Sequence, residues 1–218
     1  MGITFGVITN GKRPEKLWRE IQTIHDLNVP EYEIIVAGEL PEKPMRFDYE
    51  YIPTYACRFG ELGRMRNLIA ERARHETIVI TDDDILFKDD FYIGLVKYGD
   101  DFDILCTRLL NPDGSRNWDW VTKGGKRGHV LLEYWETDPK IYCTGGRIVL
   151  HKEVWNKVKW DDTKGFNQEE DVDYSHRALK AGFTIKMNKY STLVHDDPRY
   201  YEINKQIYFK EQTCHSQP

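Results

Sequence analysis

The sequence lacks any long apolar run, and this absence excludes one class of protein. None of its apolar segments approaches the roughly 18 consecutive residues that suggest a membrane-spanning helix. The start of the chain also lacks a signal-peptide pattern. We therefore expect a soluble, cytoplasmic protein without a membrane span.

Cysteine is scarce, and its spacing excludes a cysteine-based framework. The chain has four cysteines, Cys57, Cys106, Cys143 and Cys214, and none of them forms a CxxC pair. This spacing favours neither a zinc ribbon nor a disulfide-rich scaffold. We expect reduced thiols, the usual state in a cytoplasm.

A basic excess is missing too. The 31 Lys and Arg residues are outnumbered by 36 Asp and Glu residues, for a net charge of −5, so no global basic field attracts nucleic acid or an anionic membrane. Aromatic residues, by contrast, are plentiful at 13%. They suit a site that stacks on flat or sugar-like ligands, and an aromatic-rich core explains them equally well.

The order of apolar patterns predicts a single α/β domain over residues 1–218. Short apolar runs at 3–9, 33–37, 49–52 and 77–81 read as strands, and stretches with helical spacing near 17–27 and 62–69 separate them. Repeated βαβ units imply a mostly parallel sheet flanked by helices. The second half predicts a helix at 90–98, a strand at 103–108, a helix ending at Gly182, and strands at 184–187 and 191–194.

Three adjacent carboxylates interrupt the apolar run "VITDDDILF" at 79–87. Like charges beside an apolar frame call for a compensating cation. In an extended segment Asp82 and Asp84 face one side and Asp83 the other, so the first and third carboxylates offer two oxygen donors together. Such a pair suits Mg²⁺ or Mn²⁺ with positions left for phosphate oxygens, although a solvated turn or a helix cap is an alternative.

Six segments in order carry a resemblance to a known family. They are "FGVITNGKRPEKL", "EIIVAGE", "GRMRNLIAERA", "TIVITDDDILF", "CTGGRIVLHKEVW" and "GFNQEEDVDYSHRALKAGF". Together they resemble the glycosyltransferases of the GT-A fold, most closely family 2, over roughly residues 3–195. The resemblance implies a Rossmann-like, mostly parallel central sheet with a small antiparallel portion in the C-terminal half. It divides the chain into a nucleotide-binding half (1–88), an acceptor and catalytic half (89–197) and a C-terminal tail (198–218).

The resemblance also implies which residues form the site. Asp171 matches the carboxylate base, with Glu170 beside it. The metal ligands implied are Asp84, Asp82 and His195, with Asp196 and Asp197 as substitutes for His195. The positions that would contact the nucleotide sugar are Thr9, Glu39, Arg66, Asp82, Asp83, Gly145 and Gly146.

The activity implied is metal-dependent transfer of a sugar from a nucleoside-diphosphate sugar, with a UDP-sugar as the first choice, to a hydroxyl acceptor with inversion. Mn²⁺ or Mg²⁺ is the expected cofactor, and the acceptor is a glycan or a modified nucleobase in DNA. A nucleotidyltransferase is an alternative, although the loop "TNGKRPEK" has only one glycine where such enzymes have a glycine-rich phosphate loop. A nucleotide-sugar binding module without catalysis is a second alternative.

The segment 111–140 has no counterpart in the resemblance. Its tryptophans, Trp118, Trp120 and Trp135, either stack on ligands or belong to the core. The basic piece from Lys123 to Arg127 predicts a hairpin tip, with a lid or a contact to a phosphate-bearing acceptor as alternatives.

Overall fold

A computed structural model describes residues 1–40 and 47–197. The predicted proline-rich loop between residues 40 and 47 falls mostly outside the described residues, and the predicted tail 198–218 lies wholly outside them.

Strands and helices alternate through the first half of the chain, as the apolar patterns predict. The helices are α1 (Pro14–Asp26), α2 (Ala56–Phe59), α3 (Leu62–Arg72), α4 (Asp90–Tyr98), α5 (Lys152–Lys157) and α6 (Glu170–Lys180). The strands are β1 (Ile3–Thr9), β2 (Tyr32–Gly38), β3 (Glu50–Pro53), β4 (Thr77–Asp82), β5 (Ile85–Phe87), β6 (Ile104–Leu110), β7 (Val121–Lys123), β8 (His129–Leu131), β9 (Ile141–Tyr142), β10 (Arg147–His151) and β11 (Ile185–His195).

The main sheet has the strand order β3-β2-β1-β4-β10-β6-β11-β5. Strand β1 pairs in parallel with both β2 and β4, and β2 pairs in parallel with β3. Strand β10 runs antiparallel between β4 and β6, while β6 and β11 are parallel. The predicted α/β fold with a mostly parallel sheet is confirmed.

Helices cover both faces of this sheet, which explains why its central strands are apolar along their whole length. All seven residues of β1 are buried. On one face α1 packs its apolar stripe of Leu17, Ile21 and Ile24. On the other face α3 packs Met65 and Ile69. Within the part of the chain that the structure describes, no helix combines the length and apolar character needed to cross a bilayer.

A second sheet of three antiparallel strands, in the order β8-β7-β9, is built from the segment that the sequence left unassigned. Strands β7 and β8 form a hairpin in which Lys123 pairs with His129. Gly124, Gly125 and Gly128 adopt positive φ in the connecting loop, a conformation that glycine reaches without steric cost. The predicted hairpin tip and the small antiparallel portion are confirmed.

Two details of the main sheet differ from prediction. The two strands expected at 184–187 and 191–194 are one strand, β11, whose pairing with β6 shifts register between Asn188 and Thr192. Inside this irregularity Asn188 donates a side-chain hydrogen bond to Ser191, which bonds the carbonyl of Phe91. Strand β5 was not predicted, because three residues carry too little pattern until β11 pairs with them.

Candidate active site

The carboxyl ends of β1, β2 and β4 meet at one edge of the sheet, where open α/β sheets bind ligands. In the register of these strands Thr9 lies beside Gly38, and Ile8 lies beside Asp82. Gly38 has φ +140°, and a Cβ there would lie 1.8 Å from the carbonyl oxygen of Thr9, so only glycine fits. Parallel pairing therefore brings the loops after these three strands together.

A cleft of ≈ 1070 Å³ opens at this edge, a size typical of small-molecule sites. His129 of β8 and Tyr142 of β9, from the small antiparallel sheet, also line it. Among the predicted site residues, those that line it are Thr9, Asp82, Asp83, Asp84, Gly146 and His195. The remaining lining includes Lys12, Arg13, Arg58, Phe59, Trp118, His129, Tyr142, Arg147 and Phe166.

The predicted alternation of the three aspartates is wrong, because Asp83 and Asp84 form a turn between β4 and β5 instead of continuing the strand. Asp83 accepts a 2.6 Å hydrogen bond from the Thr9 hydroxyl. The guanidinium of Arg13 binds Asp83 and Asp84 together, with 2.6 Å between its Nη1 and Asp84 Oδ2. The positive charge that compensates Asp83 and Asp84 is thus the guanidinium of Arg13.

Asp84 also meets residues from the end of β11. His195 Nε2 lies 3.5 Å from Asp84 Oδ1, and Asp197 Oδ2 lies 3.3 Å from Arg13 Nη1. Burial favours the neutral acid, but His195 and Arg13 outweigh it and lower the pKa of Asp84. The structure therefore brings Asp84 and His195 together as the sequence predicts.

Asp82 has a different environment. Its Oδ1 is buried and accepts no hydrogen bond from any described residue, with Arg66 Nη2 3.6 Å away. Burial raises the pKa of Asp82 to about 7, and the neighbouring charges of Asp84 and Asp83 add to this effect against the opposing charge of Arg66. Although 35% of the side chain is exposed, the buried atom is the one that lacks a partner.

A further carboxyl group lies beneath the turn. Glu20 of α1 is fully buried and accepts a hydrogen bond from the hydroxyl of Thr81. Burial raises its pKa well above the ordinary range.

The donor atoms at the turn suit a divalent cation, but the present arrangement does not form a closed metal site. Among residues 1–40 and 47–197, no three His, Cys, Asp or Glu side chains are grouped closely enough to hold a metal ion. Carboxylate oxygens of Asp82 and Asp84 with a nitrogen of His195 are the donors that Mn²⁺ and similar ions accept. Asp82 Oδ1, which accepts no hydrogen bond from the described residues, is consistent with such a ligand, while Arg13 occupies Oδ2 of Asp84.

Arg66 connects the acidic turn to the start of α6. Its side chain is 1% exposed, and it donates hydrogen bonds to Glu170 Oε1 at 3.0 Å and to the carbonyl of Gly145 at 2.6 Å. The resemblance implies that Arg66 contacts the nucleotide, and this stays a prediction. Among the described residues, Thr144 and Gly146 line the cleft, whereas Arg66, Gly145 and Glu170 are not part of its lining.

Asp171 is fixed by two backbone N–H groups. Gly145 donates to Asp171 Oδ2 at 2.8 Å, and Val172 donates to Oδ1 at 2.8 Å. Burial and the adjacent charge of Glu170 raise the pKa of Asp171. A Cβ on residue 145 would lie 2.8 Å from Glu170 Oε1 and 3.0 Å from Arg66 Nη2, so a larger residue would force these side chains to shift.

The chain enters α6 through a strained segment. Asn167 and Glu169 have φ of 62° and 57°, in the left-handed region that side chains other than glycine rarely adopt. Such residues cost about 1–3 kcal/mol each and persist only where surrounding contacts impose them. The strain lies directly before Glu170 and Asp171, where the position of the helix start matters for the site.

The other predicted residues and the hairpin have defined partners. Glu39 pairs with Arg58, and Arg58 lines the cleft in its place. Lys123 pairs with Glu169 at 2.8 Å, and Arg127 pairs with Glu136 at 2.9 Å. These ion pairs neutralise much of the basic hairpin, so the structure gives no support to contact with DNA phosphates.

The three tryptophans of the unassigned segment have three different roles. Trp118 lines the cleft and stacks on His129, with ring centroids 4.9 Å apart and planes 17° apart. His129 in turn shares a 2.8 Å hydrogen bond with Tyr142. Trp120 is buried in the core, and Trp135 is 80% exposed.

Arg13 is a site residue that the motifs did not single out, although the basic "GKR" follows β1 at the edge where ligands collect. Asp197 was expected only as a substitute for His195 at the metal. No local signal predicts that Asp197 lies beside Arg13, since the two residues are 184 positions apart in the chain.

The parallel half-sheet, the antiparallel strand β10 and the small second sheet are consistent with a GT-A, Rossmann-like fold. Among solved structures, GalNAc-T7 with UDP, GalNAc and Mn²⁺ is similar to this chain, with a TM-score of 0.68 and 13% identity over 89% of this chain and 44% of that one. S. aureus TarS 1-349 in complex with UDP is also similar, with a TM-score of 0.61 and 12% identity over 89% of this chain and 60% of that one.

At this identity the similarity shows the fold alone. This chain spans between about 44% and 60% of the length of those two proteins. No protein-family model matches the sequence, and no curated protein matches it.

Proposed function

We propose that this chain is a metal-dependent glycosyltransferase that moves a sugar from a UDP-sugar to a hydroxyl group of a glycan acceptor, with inversion. The observation that carries the proposal is the pairing, within a GT-A fold, of an acidic turn at 82–84 with a hydrogen-bonded carboxylate at Asp171. Arg66 and Gly145 join the two. The UDP in two similar structures, and the Mn²⁺ in one of them, support the choice of donor and cofactor.

On the donor side, Thr9 and the turn would face the nucleotide, and Arg58 would act at the position expected for Glu39. Asp82, Asp84 and His195 would hold a divalent cation. When bound, such a cation offsets the negative charge that grows on the diphosphate as the glycosidic bond breaks. Gly146 leaves room for the donor sugar along the wall of the cleft.

On the acceptor side, Asp171 takes the proton of the attacking hydroxyl. The hydroxyl oxygen forms a bond to the anomeric carbon from the face opposite the diphosphate. The bond from that carbon to the phosphate oxygen breaks, and the nucleoside diphosphate leaves with the electron pair. The raised pKa of Asp171 makes it a stronger base than an ordinary aspartate, and the N–H groups of Gly145 and Val172 hold its orientation.

Nucleotide binding is the first test of this function. Calorimetric titration with UDP, GDP and CDP should show binding of UDP in Mn²⁺ that is lost in EDTA. Binding of another nucleotide would change the donor. The absence of metal-dependent binding of any nucleotide would overturn the proposal.

Turnover is the second test. Asp171→Asn should reduce release of UDP from a UDP-sugar in the presence of acceptor by about 10²-fold or more, because it removes the base, while UDP affinity stays unchanged. Asp173→Asn, on the same helix and paired with Arg177 at 2.8 Å, is the matched control and should retain activity. Metal-dependent UDP binding without any turnover would identify a binding module instead.

A further inference from the structure

We propose that Arg13 competes with the divalent cation for Asp84 and transfers to the diphosphate when the donor binds. This inference rests on the proposed function for the identity of the donor. Its first half concerns the carboxylates alone and is testable without any nucleotide.

The position of Arg13 suits this role. It lies between β1 and Pro14, the first residue of α1, and its side chain is 26% exposed in the cleft. One guanidinium meets three carboxylates, those of Asp83, Asp84 and Asp197. Two further basic residues of the region, Lys16 and Arg19, bind Asp196 and not Asp83 or Asp84.

Arg13 and a metal ion cannot share Asp84 as it stands. Asp84 Oδ2 accepts from Arg13 at 2.6 Å, and Asp84 Oδ1 faces His195 at 3.5 Å. A divalent cation at these atoms would lie next to the guanidinium, and like charges at that distance repel. Cation binding therefore requires the bond between Arg13 and Asp84 to open.

The residual charge of the turn still favours a divalent cation. Arg13 meets three carboxylates with one positive charge, and Asp82 Oδ1, with Arg66 Nη2 3.6 Å away, accepts no hydrogen bond from the described residues. Arg13 thus lowers the affinity for a cation without replacing it.

The diphosphate gives Arg13 a second partner. A guanidinium presents its N–H groups as a planar fork that fits carboxylate and phosphate oxygens equally well. Arg13 lines the cleft together with Lys12 and Asn10, so a diphosphate in the cleft lies within the same basic loop. Each ligand then strengthens the binding of the other, because the movement of Arg13 from Asp84 to phosphate serves both.

The test measures binding of Mn²⁺ from the electron paramagnetic resonance of the free ion, first without nucleotide and then with saturating UDP. Without UDP, Arg13→Gln should bind Mn²⁺ about tenfold more tightly than the wild type, a typical size for coupling between two ligands. With UDP this advantage should disappear, because Arg13 no longer occupies Asp84 in the wild type.

Arg19→Gln is the matched control, since it removes the same charge from α1 but pairs with Asp196 and is 60% exposed. It should leave Mn²⁺ affinity within about twofold of the wild type. Arg13→Lys keeps the charge but offers a single ammonium that cannot bridge Asp83 and Asp84, so its Mn²⁺ affinity should be intermediate. This variant also replaces Arg13→Gln if thermal unfolding shows that Arg13→Gln does not fold.

Three results would overturn the inference. The first is equal Mn²⁺ affinity in Arg13→Gln and the wild type without UDP. The second is an equal gain in Arg19→Gln, which would show a general charge effect. The third is an advantage of Arg13→Gln that persists with UDP. If UDP strengthens Mn²⁺ binding but Arg13→Gln and the wild type have equal Mn²⁺ affinities, the inference fails and the proposed function stands. If UDP does not change Mn²⁺ binding by the wild type, both the proposed function and the transfer of Arg13 to the diphosphate are ruled out.

Discussion

Arg66 donates a hydrogen bond to Glu170 across 3.0 Å, although the two residues lie 104 positions apart in the chain. Both side chains are buried, with 1% and 8% of their surface exposed. The same guanidinium lies 3.6 Å from Asp82. A single buried cation therefore joins the acidic turn after β4 to the first turn of α6, and its loss would leave carboxylates without a partner in the interior.

Replacing Arg66 should be costly for stability. Arg66→Ala removes one partner of a buried pair, for which the expected loss is about 3–5 kcal/mol in the free energy of unfolding. Arg72→Ala, on the same helix, breaks an exposed 3.1 Å pair with Glu50 and should cost no more than about 1 kcal/mol. Urea denaturation of both variants measures the difference. Similar losses of unfolding free energy in the two variants would show that the buried ion pair stabilises the fold no more than the exposed one.

Adding one methyl group at residue 145 should disturb the same junction. In Gly145→Ala the new Cβ meets Glu170 Oε1 at 2.8 Å and Arg66 Nη2 at 3.0 Å, and overpacking of this kind costs about 1–3 kcal/mol. Its neighbour is the control, because in Gly146→Ala the nearest atom is Asp82 Oδ2 at 3.4 Å. The melting temperature should fall further for Gly145→Ala than for Gly146→Ala. A larger fall for Gly146→Ala would show that Glu170 and Arg66 do not pack closely against residue 145.

The pKa of Asp82 predicts how stability depends on pH in the metal-free protein. Burial raises this pKa from 3.8 to about 7, so between these values the folded chain keeps a proton that the unfolded chain releases. The free energy of unfolding then falls as pH rises through this window. Asn has no proton to release, so Asp82→Asn should gain in melting temperature relative to the wild type between pH 4 and pH 8.

Thermal unfolding in EDTA across this range tests the pH prediction. Asp89→Asn is a suitable control, because Asp89 is exposed just beyond β5. Its melting temperature should follow the wild type at every pH. If the difference in melting temperature between Asp82→Asn and the wild type does not change with pH, the pKa of Asp82 is not raised in the folded chain.

Removal of the metal and removal of Asp84 should have the same effect on nucleotide binding. If Asp84 is a metal ligand, Asp84→Asn in Mn²⁺ should bind UDP only as weakly as the wild type does in EDTA, because a neutral amide is a poor ligand for the cation. Asp89→Asn should keep the full Mn²⁺-dependent affinity. Calorimetry measures UDP affinity for the wild type in Mn²⁺ and in EDTA, and for Asp84→Asn and Asp89→Asn in Mn²⁺. Full UDP affinity in Asp84→Asn would show that Asp84 is not a metal ligand.

The sequence predicted the parallel half of the sheet correctly, and with it one edge of the site. Strand and helix patterns are local, and the carboxyl ends of parallel strands must lie at one edge. The strand ends that carry Thr9 and Asp83, 74 positions apart, therefore lie close together, although the 2.6 Å hydrogen bond between the two side chains depends on the turn. The confirmed hairpin of β7 and β8 follows from local turn chemistry in the same way.

Other features depended on contacts between distant segments. Alternation along a strand predicts that Asp82 and Asp84 face the same side. In the turn, however, Asp83 and Asp84 both pair with Arg13, and Asp82 lies near Arg66. A helical arginine such as Arg66 has no local signal that distinguishes a buried bridge from a ligand-binding residue. The continuity of β11 likewise depends on β6 and β5 as pairing partners.

By itself, the sequence determined the α/β class, the order of the elements in the first half of the chain and the strand ends at which a site could form, because periodicity and turn residues act over a few positions. Only the tertiary structure decided which cation faces which carboxylate. A buried charge pairs with the group that packing places within reach. Arg13 reaches Asp84, and Arg66 reaches Glu170, only when the sheet and its helices are assembled.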